Sequence, residues 1–230
     1  MDSTFSKYKN VGAVGGPNLS PKTNDLEKKL VGKSRKFSFV TLNTSVKNKI
    51  KKEGPISFLP SCNLIVKTKI YKKLGGMYEK LYSGEEISLI RSLKKNKFQI
   101  IFNRKIYVFH KDRNFKHYFR QRFIYGSTGL KLFINFPCKE SFLVLLSSFP
   151  TIYLLFFPIA FLNKDFFLFY MSGITLITVF CIINAFKINY LNNFLKSLKL
   201  TLISIFAPGI GFILSLFLNK NSMKKLYTQE

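Results

Sequence analysis

The sequence has no tryptophan, only two histidines and only three cysteines in 230 residues. The cysteines are Cys62, Cys138 and Cys181, and their odd number and wide spacing exclude a disulfide framework and a Cys-x-x-Cys metal site. Two histidines are too few for a His-rich metal cage. The sequence therefore offers no metal site built from cysteine and histidine.

Acidic residues are also scarce, with 11 Asp and Glu against 37 Lys and Arg, which gives a formal net charge of +26. The first 140 residues hold 30 of the basic and 9 of the acidic groups. This charge fits a polyanionic partner, whether nucleic acid, nucleotide diphosphates or anionic lipid headgroups. Only six of the bases are arginine, and Lys, Asn, Ile and Phe are frequent throughout, which favours a generic basic surface beside a membrane. No bidentate arginine cluster or zinc spacing is evident in the sequence, so we expect no nucleic-acid partner.

Three long segments, residues 141–162, 166–186 and 200–218, carry no charge. About 20 apolar residues suffice to cross a hydrocarbon core of about 30 Å. The sequence therefore predicts a domain over residues 1–139, a region of three transmembrane helices over 140–219, and a tail over 220–230. Alternatively, Pro150 and Pro158 bend the first segment into a re-entrant or interfacial structure.

Basic residues near the ends of these segments predict their orientation. The chain before the first segment is strongly basic, and residues 187–199 contain three lysines and no acid. We therefore expect an integral protein of a bacterial-type inner or plasma membrane, with the soluble domain in the cytoplasm and the tail outside. The polar first ten residues do not resemble a cleavable signal peptide.

The first 135 residues alternate between strand-like and helix-like patterns. The predicted elements are a buried strand at 11–17, a weak strand at 37–42, a strand at 63–66, helices at 67–74 and 85–95, and two strands, 98–102 and 106–109, around a turn. Phe115, Tyr118, Phe119 and Phe123 form an aromatic stripe on a further helix. Such a stripe is typical of a helix in the membrane interface, with an ordinary core-facing helix as the alternative.

The helix at 85–95 places an acid on its apolar face. Leu89, Ile90 and Leu93 form that face, and Glu86 lies on it at helical spacing, whereas Glu85 points to another side. In the first turn of a helix, the N-terminal dipole favours a charged carboxylate. The pattern leaves two interpretations of Glu86 open, a structural acid or a catalytic one.

Three segments follow one another along the chain: residues 59–94, VFHKDR at 108–113 and RQRFIYG at 120–126. In this order they resemble the second half of the catalytic domain of membrane-attached family 2 glycosyltransferases. The resemblance covers about residues 11–132. It implies an α/β fold, an incomplete GT-A-like domain, followed by the all-α membrane region.

Gly84-Glu85-Glu86 stands where this family usually has Gly-Glu-Asp, so the resemblance implies that Glu86, with Glu85 beside it, is the general base for the acceptor hydroxyl. RQRFIYG is similar to the motif QxxRW; Ile124 replaces its arginine, for which Arg120 or Arg122 would compensate. The implied cleft residues are Asn63, Gly75, Gly76, His110, Gln121, Arg122 and Tyr125.

The implied activity is transfer of a sugar from a nucleotide-sugar donor to a lipid-linked or polysaccharide acceptor. The family holds its donor and a divalent metal, Mg or Mn, through an Asp-x-Asp pair, and none of the four aspartates here has that spacing. We therefore expect the chain to be inactive alone, with a separate chain carrying the donor-binding half. The alternative is a non-catalytic basic membrane protein, either a truncated relic or a subunit that docks on a partner and on membrane lipids.

Overall fold

The computed structural model describes residues 2–35, 52–79, 81, 83–189 and 191–218. The strand predicted at 37–42 and the tail at 220–230 lie outside these residues. The protein has a mixed α/β part with a small sheet, followed by a helical C-terminal region.

The α/β part contains six strands and five α-helices within the described residues. In chain order they are α1 (Asp2–Lys7), β1 (Val11–Gly15), β2 (Asn18–Leu19), α2 (Leu26–Ser34), β3 (Gly54–Pro55), β4 (Leu64–Val66), α3 (Thr68–Lys73), α4 (Glu85–Lys95), β5 (Gln99–Phe102), β6 (Val108–Phe109) and α5 (Phe115–Asn135). The predicted helices at 67–74 and 85–95 are confirmed as α3 and α4. The buried strand predicted from residue 11 is β1.

The main sheet has the strand order β3-β5-β1-β4. β1 runs parallel to β5 and antiparallel to β4, and β3 runs antiparallel to β5. A second, two-stranded sheet pairs β2 with β6 in parallel. The two strands predicted around a turn, 98–102 and 106–109, are confirmed as β5 and β6. β5 pairs with β1 and β6 pairs with β2.

Glycines of β1 and the following turn allow neighbouring backbones to approach closely. A Cβ on Gly15 would collide with the carbonyl oxygen of Asn63, and one on Gly16 would collide with that of Ile106. Helix α4 covers one face of the sheet through Leu89, Ile90 and Leu93, all buried as their pattern predicts.

Helix α5 links the α/β part to the C-terminal helices. Phe115, Tyr118 and Phe123 are buried, whereas Phe119 is 38% exposed. Phe115 and Tyr118 pack with Leu30 of α2 and with Leu200 further along the chain. The core-facing alternative therefore describes most of the aromatic stripe.

The C-terminal region comprises α6 (Lys139–Leu146), α7 (Phe149–Leu155), α8 (Phe157–Ala160), α9 (Lys164–Ile188) and α10 (Phe194–Phe217). Helices α9 and α10 are long and apolar enough to cross a membrane. They coincide with the second and third predicted spans. Most apolar side chains of α9 are exposed on the protein surface.

The first predicted span is wrong as a single helix, because residues 141–162 are divided among α6, α7 and α8. Pro150 and Pro158 each lie in the first turn of a new helix. Proline has no N–H to donate and its ring clashes with the preceding turn, so a helix restarts there more readily than it continues. The helix is interrupted just before each of the two prolines, where the alternative interpretation placed a bend.

Candidate functional site

A cleft of about 240 Å³ lies where α2, α4 and α5 meet the loop after β6. Five of the side chains singled out from the sequence line it: Glu86, His110, Gln121, Arg122 and Tyr125. They come from one end of α4, the end of β6 and one face of α5. The fold therefore brings together residues that are far apart in the sequence.

The other four candidates do not line this cleft. Asn63 is buried, and its Nδ2 donates to the carbonyl oxygens of Ile106 at 3.0 Å and Pro17 at 3.4 Å, so it ties three loops together. Gly75 and Gly76 follow α3 with φ of 78° and 72°, a left-handed backbone that terminates the helix. Glu85 begins α4, and its carbonyl accepts a hydrogen bond from Ser88 Oγ.

Glu86 is the second residue of α4, which begins after the left-handed N-cap residue Gly84. Burial, reinforced by the neighbouring carboxylate of Glu85, raises the pKa of Glu86 from 4.5 to about 7. Among the described residues no Lys, Arg or His forms an ion pair with it. A carboxylate with this pKa exchanges protons near neutral pH, which general acid–base chemistry requires.

Helix α5 presents Gln121, Arg122 and Tyr125 to the cleft on successive turns. Gln121 Nε2 donates to the Tyr125 hydroxyl at 3.0 Å, and the Arg122 guanidinium lies 5.8 Å from the centre of the Tyr125 ring. Burial, followed by the charge of Glu86, raises the pKa of the Tyr125 hydroxyl. Tyr125 is therefore a neutral hydrogen-bonding group at neutral pH.

Arg122 is 6% exposed, and its position depends on α10. Pro208 lies inside α10 and cannot donate to the carbonyl of Ser204, four residues earlier. Arg122 Nη2 donates to that carbonyl at 3.5 Å, and its Nε has no partner among the described residues. A buried guanidinium with an N–H group that has no partner can donate a hydrogen bond to an anionic ligand and bind it.

An ion pair that the sequence analysis missed forms one wall of the cleft. Arg35 Nη2 lies 2.6 Å from Asp112 Oδ1, and the side chain of Asp112 is 2% exposed. Asp112 belongs to the recognised segment 108–113, but no local signal pairs it with Arg35, which is distant in the sequence. Arg113, also missed, adds a further positive charge to the lining.

His110 lies next to this ion pair. Burial, then the charges of Arg35 and Arg113, lowers the pKa of His110, so its imidazole is neutral at neutral pH. Its Nδ1 is buried without a hydrogen-bond partner among the described residues. A neutral imidazole with a free nitrogen can exchange a hydrogen bond with a ligand in the cleft.

The divalent metal that the resemblance implies would need a set of oxygen or nitrogen ligands. Within the described part of the chain, no three His, Cys, Asp or Glu side chains are placed to hold a metal ion. Asp112, the aspartate of the lining, is paired with Arg35. The cleft instead combines a readily protonated carboxylate with the positive charges of Arg113 and Arg122.

Comparison with known proteins does not extend this description, since no protein-family profile, no curated protein and no solved structure matches the chain.

Proposed function

We propose that this chain is the acceptor-side part of a membrane-bound, family 2-like glycosyltransferase. It would help transfer a sugar from a nucleotide-sugar donor to a lipid-linked or polysaccharide acceptor. The observation that carries the proposal is the cleft lined by Glu86, His110, Gln121, Arg122 and Tyr125. These residues were selected from family-like segments, and nothing in local sequence requires them to meet.

Glu86 is the candidate general base. In an inverting transfer the acceptor oxygen attacks the sugar carbon, the bond to the nucleoside diphosphate breaks, and the acceptor proton passes to the Glu86 carboxylate. A base works best when its pKa is near the working pH, and the pKa of Glu86 is about 7. Tyr125 and Gln121 are neutral polar groups suited to orienting the acceptor hydroxyl.

Arg113 and Arg122 supply the positive charge that the departing diphosphate requires. Arginine donates several hydrogen bonds in a fixed fork, which suits phosphate oxygens, and a partly dry cleft strengthens the attraction. A separate chain with an Asp-x-Asp pair would hold the donor and any Mg or Mn. The proposed role of the present residues involves no step on a metal.

The structural support for a GT-A-like domain is the mixed sheet with parallel β1 and β5, covered by α4. We propose that α9 and α10 span the membrane, with residues 141–162 as a third membrane-embedded or interfacial segment. The basic residues at the C-terminal end of α9 and the N-terminal end of α10 support a cytoplasmic location for that side and for the cleft.

A sugar-transfer assay tests this proposal. Membranes containing the chain, with and without the product of an adjacent reading frame that encodes an Asp-x-Asp domain, are incubated with radiolabelled nucleotide sugars. Label is expected in the lipid or polysaccharide fraction only when both chains are present. Equal transfer by the partner alone would contradict the proposal and leave a non-catalytic docking subunit as the function.

A further inference from the structure

A second pocket, of about 410 Å³, shares Asp112 with the cleft and opens beside α2. Three exposed lysines line it: Lys22 from the loop before α2, and Lys29 and Lys33 from α2 itself. Lys29 and Lys33 are four residues apart and so lie on the same face of the helix. Thr23 and Asn24 add neutral polar groups to the lining.

Carboxylates near this lysine pocket are already engaged elsewhere. Asp112 pairs with Arg35 at 2.6 Å, and Asp25 pairs with Lys28 at 2.8 Å. Glu27 accepts a hydrogen bond from the backbone N–H of Phe115 at 2.8 Å. In the described part of the chain no acid forms an ion pair with the three lysines, so the pocket carries a net positive charge suited to an anion.

The lysine pocket lies beside the end of the most exposed apolar helix. Lys33 Nζ donates to Asn189 Oδ1 at 2.8 Å, and Asn189 caps the C-terminus of α9, whose last turn contains Lys187. Helix α2 also contacts α10. Where a membrane helix ends, the chain enters the layer of lipid headgroups. If α9 spans the membrane, the pocket therefore opens at headgroup level.

We infer that the lysine pocket binds the phosphate of an anionic phospholipid headgroup. The inference rests on the membrane-spanning part of the proposed function and is independent of sugar transfer. The lysine ammonium groups neutralise the phosphate, and Thr23 and Asn24 offer hydrogen bonds to its oxygens or to the alcohol it carries. Zwitterionic lipids lack the net negative charge that the pocket favours.

The test uses the full chain in neutral detergent micelles, titrated with short-chain phosphatidylglycerol, short-chain phosphatidylcholine or inorganic phosphate. Binding is followed by native mass spectrometry and by the thermal unfolding midpoint. The variant is K22Q/K29Q/K33Q. Its matched control, K69Q/K72Q/K73Q, removes the same charge from three exposed lysines on α3.

The variant lacks the three ammonium groups that would neutralise the phosphate, so it is expected to bind phosphatidylglycerol at least about tenfold more weakly. The control is expected to bind like the wild type. Equal loss in both variants, equal binding of phosphatidylcholine, or equally tight binding of inorganic phosphate would overturn the inference.

Alkaline carbonate extraction of membranes is run in parallel. Release of the chain would refute the membrane proposal and this inference together, whereas retention without headgroup selectivity would refute the lysine pocket alone.

Discussion

Replacement of Glu86 by Gln is expected to lower sugar transfer by the proposed two-chain enzyme by about 10²- to 10⁴-fold, the usual contribution of a positioned general base. Gln keeps the shape of the side chain but cannot accept the acceptor proton. The measurement is kcat with saturating donor, in membranes that contain both chains. Glu79→Gln, at an exposed acid outside the cleft, is the matched control and is expected to leave kcat unchanged.

The pH profile separates a base from a structural acid. The base acts when ionised, so wild-type kcat/KM, which reports the groups of the free enzyme, is expected to rise with pH through about 7, the pKa of Glu86. The Gln variant is expected to lose this rise. Because the charge of Glu85 helps to raise the pKa of Glu86, Glu85→Gln is expected to move the rise to lower pH. An unchanged profile in Glu86→Gln would contradict the assignment.

Loss of activity in Glu86→Gln is not expected to reflect unfolding. The folded-state pKa of Glu86 is raised above its ordinary value of 4.5, so ionisation destabilises the fold progressively as pH rises from about 4.5 to about 7. This penalty is complete above the folded-state pKa and is absent in the Gln variant. At pH 8 the variant is therefore expected to be at least as stable as the wild type.

Gly126→Ala is expected to destabilise the protein by about 1–3 kcal/mol, the usual cost of overpacking. A Cβ at this position of α5 would collide with the carbonyl of Pro208 in α10, and backbone cannot move aside as a side chain can. The contact between α5 and α10 also supports Arg122, so weaker ligand binding in the cleft is expected as well. Denaturant titration in detergent measures the change in unfolding free energy.

Gly129→Ala is the matched control at another buried glycine of the same helix. Its Cβ would meet the nearest atom, Leu145 Cα, at 3.4 Å, an ordinary contact. Alanine is favoured over glycine within a helix by roughly 0.5–1 kcal/mol, so this variant is expected to be neutral or slightly more stable. If both alanine variants behave alike, close packing at Gly126 does not hold α5 against α10.

Local patterns in the sequence were sufficient to locate several elements. The three-to-four-residue spacing of Leu89, Ile90 and Leu93, with glycine before and asparagine after, defines α4 and its buried face. The same spacing indicated that Glu86 points inward, and it is half-buried in the structure. Gly75 and Gly76 marked the end of α3 because glycine, which has no Cβ, adopts positive φ at the lowest steric cost.

Features that depend on contacts between distant residues could not be derived in this way. No local rule pairs Arg35 with Asp112, or directs Arg122 to the carbonyl that Pro208 leaves without a partner. The hydropathy of residues 141–162 measures apolar character but not helix continuity, which Pro150 and Pro158 interrupt. The pairing of β6 with β2 likewise depends on which segments the fold brings side by side.

Calorimetric titration with nucleoside diphosphates and Mn²⁺ tests most directly the claim that this chain is one side of a divided glycosyltransferase cleft. The chain is purified in detergent and titrated alone and together with the Asp-x-Asp partner. The account predicts saturable binding to the pair that weakens when Arg122 is replaced by Gln, and no binding to the chain alone. Binding to the isolated chain, or an equal affinity of the partner with and without it, would contradict the account.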